Sequence, residues 1–304
     1  MRIAAATRLI DLRFQGHASY IATVLLESDA GPALIDPGPA STVARLREAL
    51  AEVGLAVRDV RALLLTHIHL DHAGATGVLV RENPALRVFV HERGAPHLVD
   101  PSKLLASARR LYGQAMESLW GEFAAVPDAN LTVLAGGERV EVAGRTLDVA
   151  YTPGHAAHHV SYLDTETGIA YVGDTAGIRV NGLPFALPPA PPPDIDLEAW
   201  TESLARIRAW APARLFVTHF GPVDDVAAHL DVFERRLSAW AAAVRASLAE
   251  PGSDDEKARR FLGRAREEMR RHLPEAAVRA YETGGGIEAT WYGLARYWRR
   301  RGDG

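Results

Sequence analysis

The sequence predicts an α/β fold, and two observations carry that prediction. Apolar runs of strand length alternate with segments of helical periodicity through the first ninety or so residues, the rhythm of a sheet covered by helices. Four such runs, at 60–66, 146–151, 169–172 and 214–218, each end in a loop that carries His or Asp.

Taken in order, residues 8–14 and 20–27 read as strands, and the Gly31-Pro32 turn leads into Ala33-Leu34-Ile35 and the loop Asp36-Pro37-Gly38-Pro39. Residues 41–53 place Val43, Leu46, Leu50 and Val53 on one helical face, with Ser41 or Thr42 as the cap. The run 60–65 delivers Thr66-His67-Ile68-His69-Leu70-Asp71-His72, four metal-capable side chains packed into six residues, and a helix opens over 73–82. A strand-to-helix loop lets alternate side chains converge on one ion. Residues 87–91 form a further strand.

Residues 94–126 break the rhythm with a broad helical stripe that includes Leu104, Leu111, Tyr112, Met116, Leu119 and Trp120. Two readings stand: a helix packed on the core, or a lid whose Tyr112, Met116 and Trp120 line an apolar substrate pocket. Strands resume at 131–134, 139–142 and 146–151, with Gly136-Gly137 and Gly144 as hairpin turns, and the last ends in Thr152-Pro153-Gly154-His155. A hairpin over 160–163 and 169–172 closes on Gly173-Asp174-Thr175. A Pro-rich segment, 183–193, and a helix near 196–210 precede the run 214–218, which ends in His219-Phe220-Gly221-Pro222. Beyond 222 the texture is helical, over 224–249, 254–272, 274–282 and 287–301, with breaks at Pro251-Gly252-Ser253 and Gly284-Gly285-Gly286.

Composition narrows the chemistry. The chain has no cysteine, so any metal is held by His and carboxylate, and disulfides and iron–sulfur clusters are excluded. A net charge of −4 gives no reason to expect nucleic acid, and the basic bias beyond Asp254 reads as a solvated helical face. No stretch reaches the length of a membrane span, and Arg8, Asp11 and Arg13 interrupt the first apolar run too early for a secretory signal, so a cytoplasmic protein is expected.

Seven side chains emerge as metal ligands: His67, His69, Asp71, His72, His155, Asp174 and His219. That is too many for one tetrahedral ion and suits two divalent ions sharing a bridging group. Two adjacent cations lower the pKa of a bridging water to roughly 7, which supplies hydroxide for hydrolysis. Asp71, an open-edged carboxylate, is the candidate catalytic residue, orienting that hydroxide and passing its proton to the leaving group. Asp36 is expected to orient ligand histidines rather than bind metal. His158 and His159 either pack or support the site, and His17 either reaches the cleft or stays on a loop.

The order His-x-His-x-Asp-His, Thr-Pro-Gly-His, Gly-Asp-Thr and a strand-terminal His resembles the metallo-β-lactamase-fold hydrolase superfamily over about residues 8–222. That resemblance implies a four-layer αββα sandwich: a catalytic unit over 1–222 with a lid-like insertion at 94–126, and a helical extension over 223–304. It implies that His67, His69 and His155 hold one metal, that Asp71, His72 and His219 hold the other, and that Asp174 bridges them. Zinc is the first choice, and the same donors accept iron or manganese. The ligand set is similar to the glyoxalase II, lactonase and phosphodiesterase branches. Gly177 stands where lactonases of this fold carry a catalytic Tyr, and no glutathione-binding pattern is visible near the C-terminus. The expected function is hydrolysis of a small ester, thioester or lactone. The alternatives are a phosphodiesterase or phosphotriesterase, and a mononuclear-iron persulfide dioxygenase. The partner is a small molecule, while the C-terminal apolar stripes fit equally a wall of the cleft or a homodimer contact.

Overall fold

The computed structural model describes residues 1–284 and 286–302, so Gly285, the middle of the predicted triglycine break, lies outside the described residues. Among the described residues, thirteen strands form two sheets. The first contains β1 (Arg2–Ala4), β2 (Thr7–Asp11), β3 (Ala22–Leu26), β4 (Ala33–Ile35), β5 (Ala62–Leu64), β6 (Arg87–His91) and β7 (Leu131–Leu134), side by side in chain order. Its early neighbours pair antiparallel and those from β4 to β7 pair parallel. The second contains β8 (Arg139–Val142), β9 (Arg145–Tyr151), β10 (Val160–Asp164), β11 (Ile169–Gly173), β12 (Arg214–Val217) and β13 (Gly221–Val223), with β11 and β12 parallel.

Helices cover both outer faces. Over the first sheet lie α1 (Val43–Ala51), α2 (Leu70–Ala73), α3 (Thr76–Glu82), α4 (Ala95–Val99), α5 (Ser102–Tyr112) and α6 (Met116–Trp120). Over the second lie α7 (Leu197–Ala209), α8 (Val226–Leu248), α9 (Asp254–His272), α10 (Glu275–Gly284) and α11 (Ile287–Arg300). Strand alternation explains the layering. Val24, Ile35 and Leu64 face inward to meet Leu147, Val149, Tyr162 and Phe216, while Leu25, Leu34 and Leu63 face outward onto α1 and α3. Val172, Leu215 and Val217 face outward from the second sheet into one cluster with Trp200, Phe233 and Trp291 of the covering helices. The result is the predicted α/β, four-layer αββα sandwich with helices following it. Among the described residues, no helix is long and apolar enough to cross a membrane.

Three local expectations are corrected. Gly136-Gly137 is not a hairpin turn, because β7 and β8 lie in different sheets; the positive φ values of this pair, 93° and 102°, turn the chain from one sheet to the other. The 94–126 stripe is not one helix but three, interrupted at Pro101 and Gly113. Neither Ser41 nor Thr42 caps α1: their hydroxyls donate to Leu119 O and Pro39 O, and a 3-10 turn, Ala40–Thr42, leads into the helix instead. The hairpin between β8 and β9 is as expected, closed by Ala143-Gly144 with φ of 53° and 67°.

Candidate metal centre

The loops after β4, β5, β9, β11 and β12 meet at one end of the sandwich, and they bring the seven predicted side chains together in two groups. In the first, His69 Nδ1 lies 3.0 Å from His67 Nε2 and 2.9 Å from His155 Nε2. In the second, His72 Nε2 lies 3.3 Å from Asp174 Oδ1 and 3.8 Å from Asp71 Oδ2, while His219 Nε2 lies 3.2 Å from Asp71 Oδ2 and 3.7 Å from Asp174 Oδ1. Two donors that share an ion at about 2.0–2.1 Å stand about 3.3 Å apart in a tetrahedral site, so both groups have the spacing of a coordination shell. Asp174 faces both, with Oδ1 in the second group and Oδ2 at 3.5 Å from His155 Nε2 of the first.

Four of the five rings are aimed through their other nitrogen. Nδ1 of His72 donates to Asp36 Oδ2 at 2.8 Å, Nδ1 of His219 to Tyr20 O at 2.8 Å and Nδ1 of His155 to Pro189 O at 2.7 Å, while His67 Nδ1 meets Thr66 Oγ1 at 3.1 Å. Asp36 also accepts from Thr66 N, Thr66 Oγ1 and Thr218 Oγ1 at 2.7–2.8 Å, so it ties three loops together, as the sequence predicts. The flanking segments are held in turn: Thr290 of α11 donates to Pro188 O at 3.1 Å and accepts from Ala190 N at 3.2 Å, on either side of the carbonyl that aims His155. Gly154 precedes His155 with φ of 139°, and a Cβ there would stand 2.4 Å from the Trp200 side chain, so this position admits only glycine.

His158 and His159 are buried beneath the first group. His159 Nε2 accepts from Asp174 N at 3.3 Å and its ring stacks on His67 at 5.0 Å, which makes it a support for both. His158 Nδ1 accepts from Ile68 N at 3.4 Å. His17 is exposed and packs against Tyr20.

The electrostatics of the residues present fit a cation. Burial and neighbouring imidazoles hold His67 well below its usual range, burial takes His69 down to about 3, and burial lowers His155, so all three are neutral lone-pair donors at pH 7. Burial alone would depress His72, but Asp174, Asp71 and Asp36 outweigh it and raise it well above its usual value; His219 is raised in the same way. Burial pushes the Asp71 and Asp174 carboxyls up, yet the adjacent histidines hold both below the usual carboxylate range. His72 Nε2, Asp174 Oδ1 and His219 Nε2 are buried without a hydrogen-bond partner, and these three orphaned atoms face one another. Unpaired buried polar atoms are costly, and a shared cation is what this donor set satisfies.

In front of the centre lies a cleft of about 270 Å³. Tyr112 and Trp120 of the helical insertion line it as the lid reading expects; Met116 does not, and packs into the core under the first sheet. Sequence reasoning missed Phe14, Leu104 and Leu111 on the same wall, and Gly286 and Ala289, by which the C-terminal helices reach the cleft. It also missed the carbonyls of Tyr20 and Pro189 as anchors. The repeated Thr-His pair, at 66–67 and 218–219, was a visible signal for the two hydroxyls on Asp36.

Comparison with known proteins agrees with this geometry. The family model of the metallo-beta-lactamase superfamily matches residues 18–219. A metallo-beta-lactamase fold-containing protein of Sulfurisphaera tokodaii is 30% identical over 165 residues, 53% of this chain and 61% of its own length. A hydroxyacylglutathione hydrolase of Synechococcus sp. is 31% identical over 157 residues, 52% of this chain and 48% of its own length. The chain thus spans about half to three-fifths of the length of these curated relatives. A crystal structure of a metallo-beta-lactamase family protein from Thermus thermophilus shares the fold, with a TM-score of 0.74 at 24% identity over 99% of this chain and 95% of that one. By the extent of the family match, and with the fold and the His/Asp cluster in agreement, the chain belongs to the metallo-beta-lactamase superfamily.

Proposed function

We propose that this protein is a binuclear metal-dependent hydrolase of a small ester, thioester or lactone. The observation that carries the proposal is the pair of donor groups with Asp174 between them, three of whose buried atoms lack any other partner. His67, His69 and His155 would hold one ion, Asp71, His72 and His219 the second, and Asp174 would span both, with zinc the first choice and iron or manganese the alternatives. Such ions supply an activated water near neutral pH and polarise a carbonyl. Asp71 keeps about a quarter of its side chain exposed to the cleft and sits 3.2 Å from His219 Nε2, a position from which its carboxylate orients the attacking water and relays its proton to the leaving group. Tyr112 is partly exposed at the same cleft, and partial desolvation with the nearby charge of Asp71 raises its phenol above the usual value, so it stays a neutral donor.

Residues 1–222 form the catalytic unit in this reading, with 94–126 as its lid-like insertion and 223–304 as an extension that closes the cleft from the other side; Ala289 at the cleft wall supports that division. The name of the Synechococcus relative supports an acyl substrate, although the likeness covers 52% of this chain. The test is elemental analysis of protein purified without added metal, followed by a panel of chromogenic esters, lactones and phosphodiesters. Two equivalents of zinc or manganese with chelator-sensitive ester or lactone cleavage are expected. One equivalent of iron with oxygen uptake on a persulfide would overturn the proposal in favour of a dioxygenase.

A further inference from the structure

The cleft's walls carry information that the metal centre does not. Leu104, Leu111 and Trp120 form one side, and Ile178, Pro191 and Ala289 the other. Among the described residues that line it, none is Lys, Arg or Glu, and its acidic groups, Asp71 and Asp174, belong to the metal centre. The polar side-chain atoms beyond that centre are neutral donors: the hydroxyls of Ser107 and Tyr112 and the indole N–H of Trp120, which is buried without a partner. A charged group carried into such walls would lose its hydration with no counter-charge to replace it. Recognition of a remote phosphate or carboxylate uses Arg or Lys, and neither is present.

Resting on the hydrolase reading, we infer that the cleft takes a neutral, apolar acyl chain, and not an anionic thiol conjugate or a phosphodiester. The space is limited: a cleft of about 270 Å³ that also holds the scissile carboxyl takes a short chain, and a longer one runs out past the exposed Leu111 at its mouth.

The experiment uses the metal-loaded full chain and p-nitrophenyl esters from acetate to dodecanoate, together with the mono-p-nitrophenyl ester of glutarate. The expected result is a rise in kcat/KM of about fourfold per methylene across the short chains, levelling once the chain outgrows the cleft. The glutaryl ester should be at least about tenfold slower than the pentanoyl ester of equal length. A flat series, or a faster glutaryl ester, overturns the inference. Leu111→Lys at the mouth of the cleft, where Leu111 is 46% exposed and the fold tolerates a charge, should flatten the series and narrow the glutaryl–pentanoyl gap. An unchanged series in that variant also overturns it. Binding of 2-alkanones of four to eight carbons, followed by tryptophan fluorescence with Trp120→Phe as the control, reads the cleft without turnover. Dissociation constants that fall about fourfold per methylene, with no ester cleaved, uphold the apolar cleft and reject the hydrolase. Esters cleaved with no dependence on chain length do the reverse.

Discussion

His72 Nδ1 donates to Asp36 Oδ2 across 2.8 Å, and the pair is sealed from solvent while the far nitrogen of the same ring faces Asp174. Asp36 thereby sets the direction of the His72 ring, a proposed ligand. Asp36→Asn should weaken metal binding by about 10–100-fold, measured by competition with a chromogenic chelator. Affinity equal to that of the parent chain would detach Asp36 from the site. Asp36→Ala should in addition cost about 3 kcal/mol or more of stability, because the groups donated by Thr66, Thr218 and His72 lose their acceptor.

Among the proposed ligands, Asp71 is a carboxylate with an edge toward the cleft. Asp71→Asn should retain metal yet lower kcat by about 100-fold or more, because the amide cannot take up and release the proton. Both metals retained with full activity would remove the role assigned to it.

Chelation should lower thermal stability. With metal at a thousandfold excess over its dissociation constant, binding contributes about 4 kcal/mol, which corresponds to a Tm several degrees higher than that of the stripped protein. Calorimetry with stepwise return of zinc reads both the shift and its stoichiometry. A Tm indifferent to chelator and to zinc would speak against any metal in this donor set.

Gly154→Ala should displace His155 and the Trp200 ring together. The added methyl meets Trp200 at 2.4–2.6 Å in a backbone conformation with φ of 139°, and Trp200 is held by an indole N–H bond to Thr175 O at 2.7 Å. A loss of about 1–3 kcal/mol in urea unfolding, with weakened metal binding, is the expected outcome. Wild-type stability in this variant would show that the turn relaxes freely.

His229 provides a pH dependence separate from the metal centre. Burial takes it down to about 4, and its Nε2–H donates to Ala176 O at 2.8 Å. In the unfolded chain it titrates near 6.5, so below that pH the unfolded state binds the extra proton. Its stabilising contribution is complete above about pH 6.5 and is lost as pH falls toward about 4. His229→Gln should therefore reduce the decline in unfolding free energy between pH 7 and 5, measured by urea titration at each pH, by about 1–2 kcal/mol relative to the parent. Parallel curves for the two chains would refute this.

The strands that deliver the seven side chains are legible because each is a short apolar run closed by an unusual cluster, and Asp36 is legible as a positioning group beside Pro37-Gly38. Backbone acceptors are not: Tyr20 O and Pro189 O hold His219 and His155, but a carbonyl carries no trace of residue identity. The strands Arg2–Ala4 and Gly221–Val223 are too short to show alternation. Periodicity in α5 and α6 marks an apolar face without saying what covers it, which is why it assigns Met116 to the cleft and passes over Leu104. The Gly136-Gly137 pair reads as a hairpin because a tight turn and a passage between sheets require the same positive φ.

Thr290 grips the backbone at Pro188 and Ala190, and Pro189 between them aims His155. The C-terminal helices are therefore not a detachable ornament on the sandwich. A change in α11 can shift the ring of His155, a proposed ligand far upstream in the sequence, and a chimera that borrows this extension from a relative brings part of that ring's support with it.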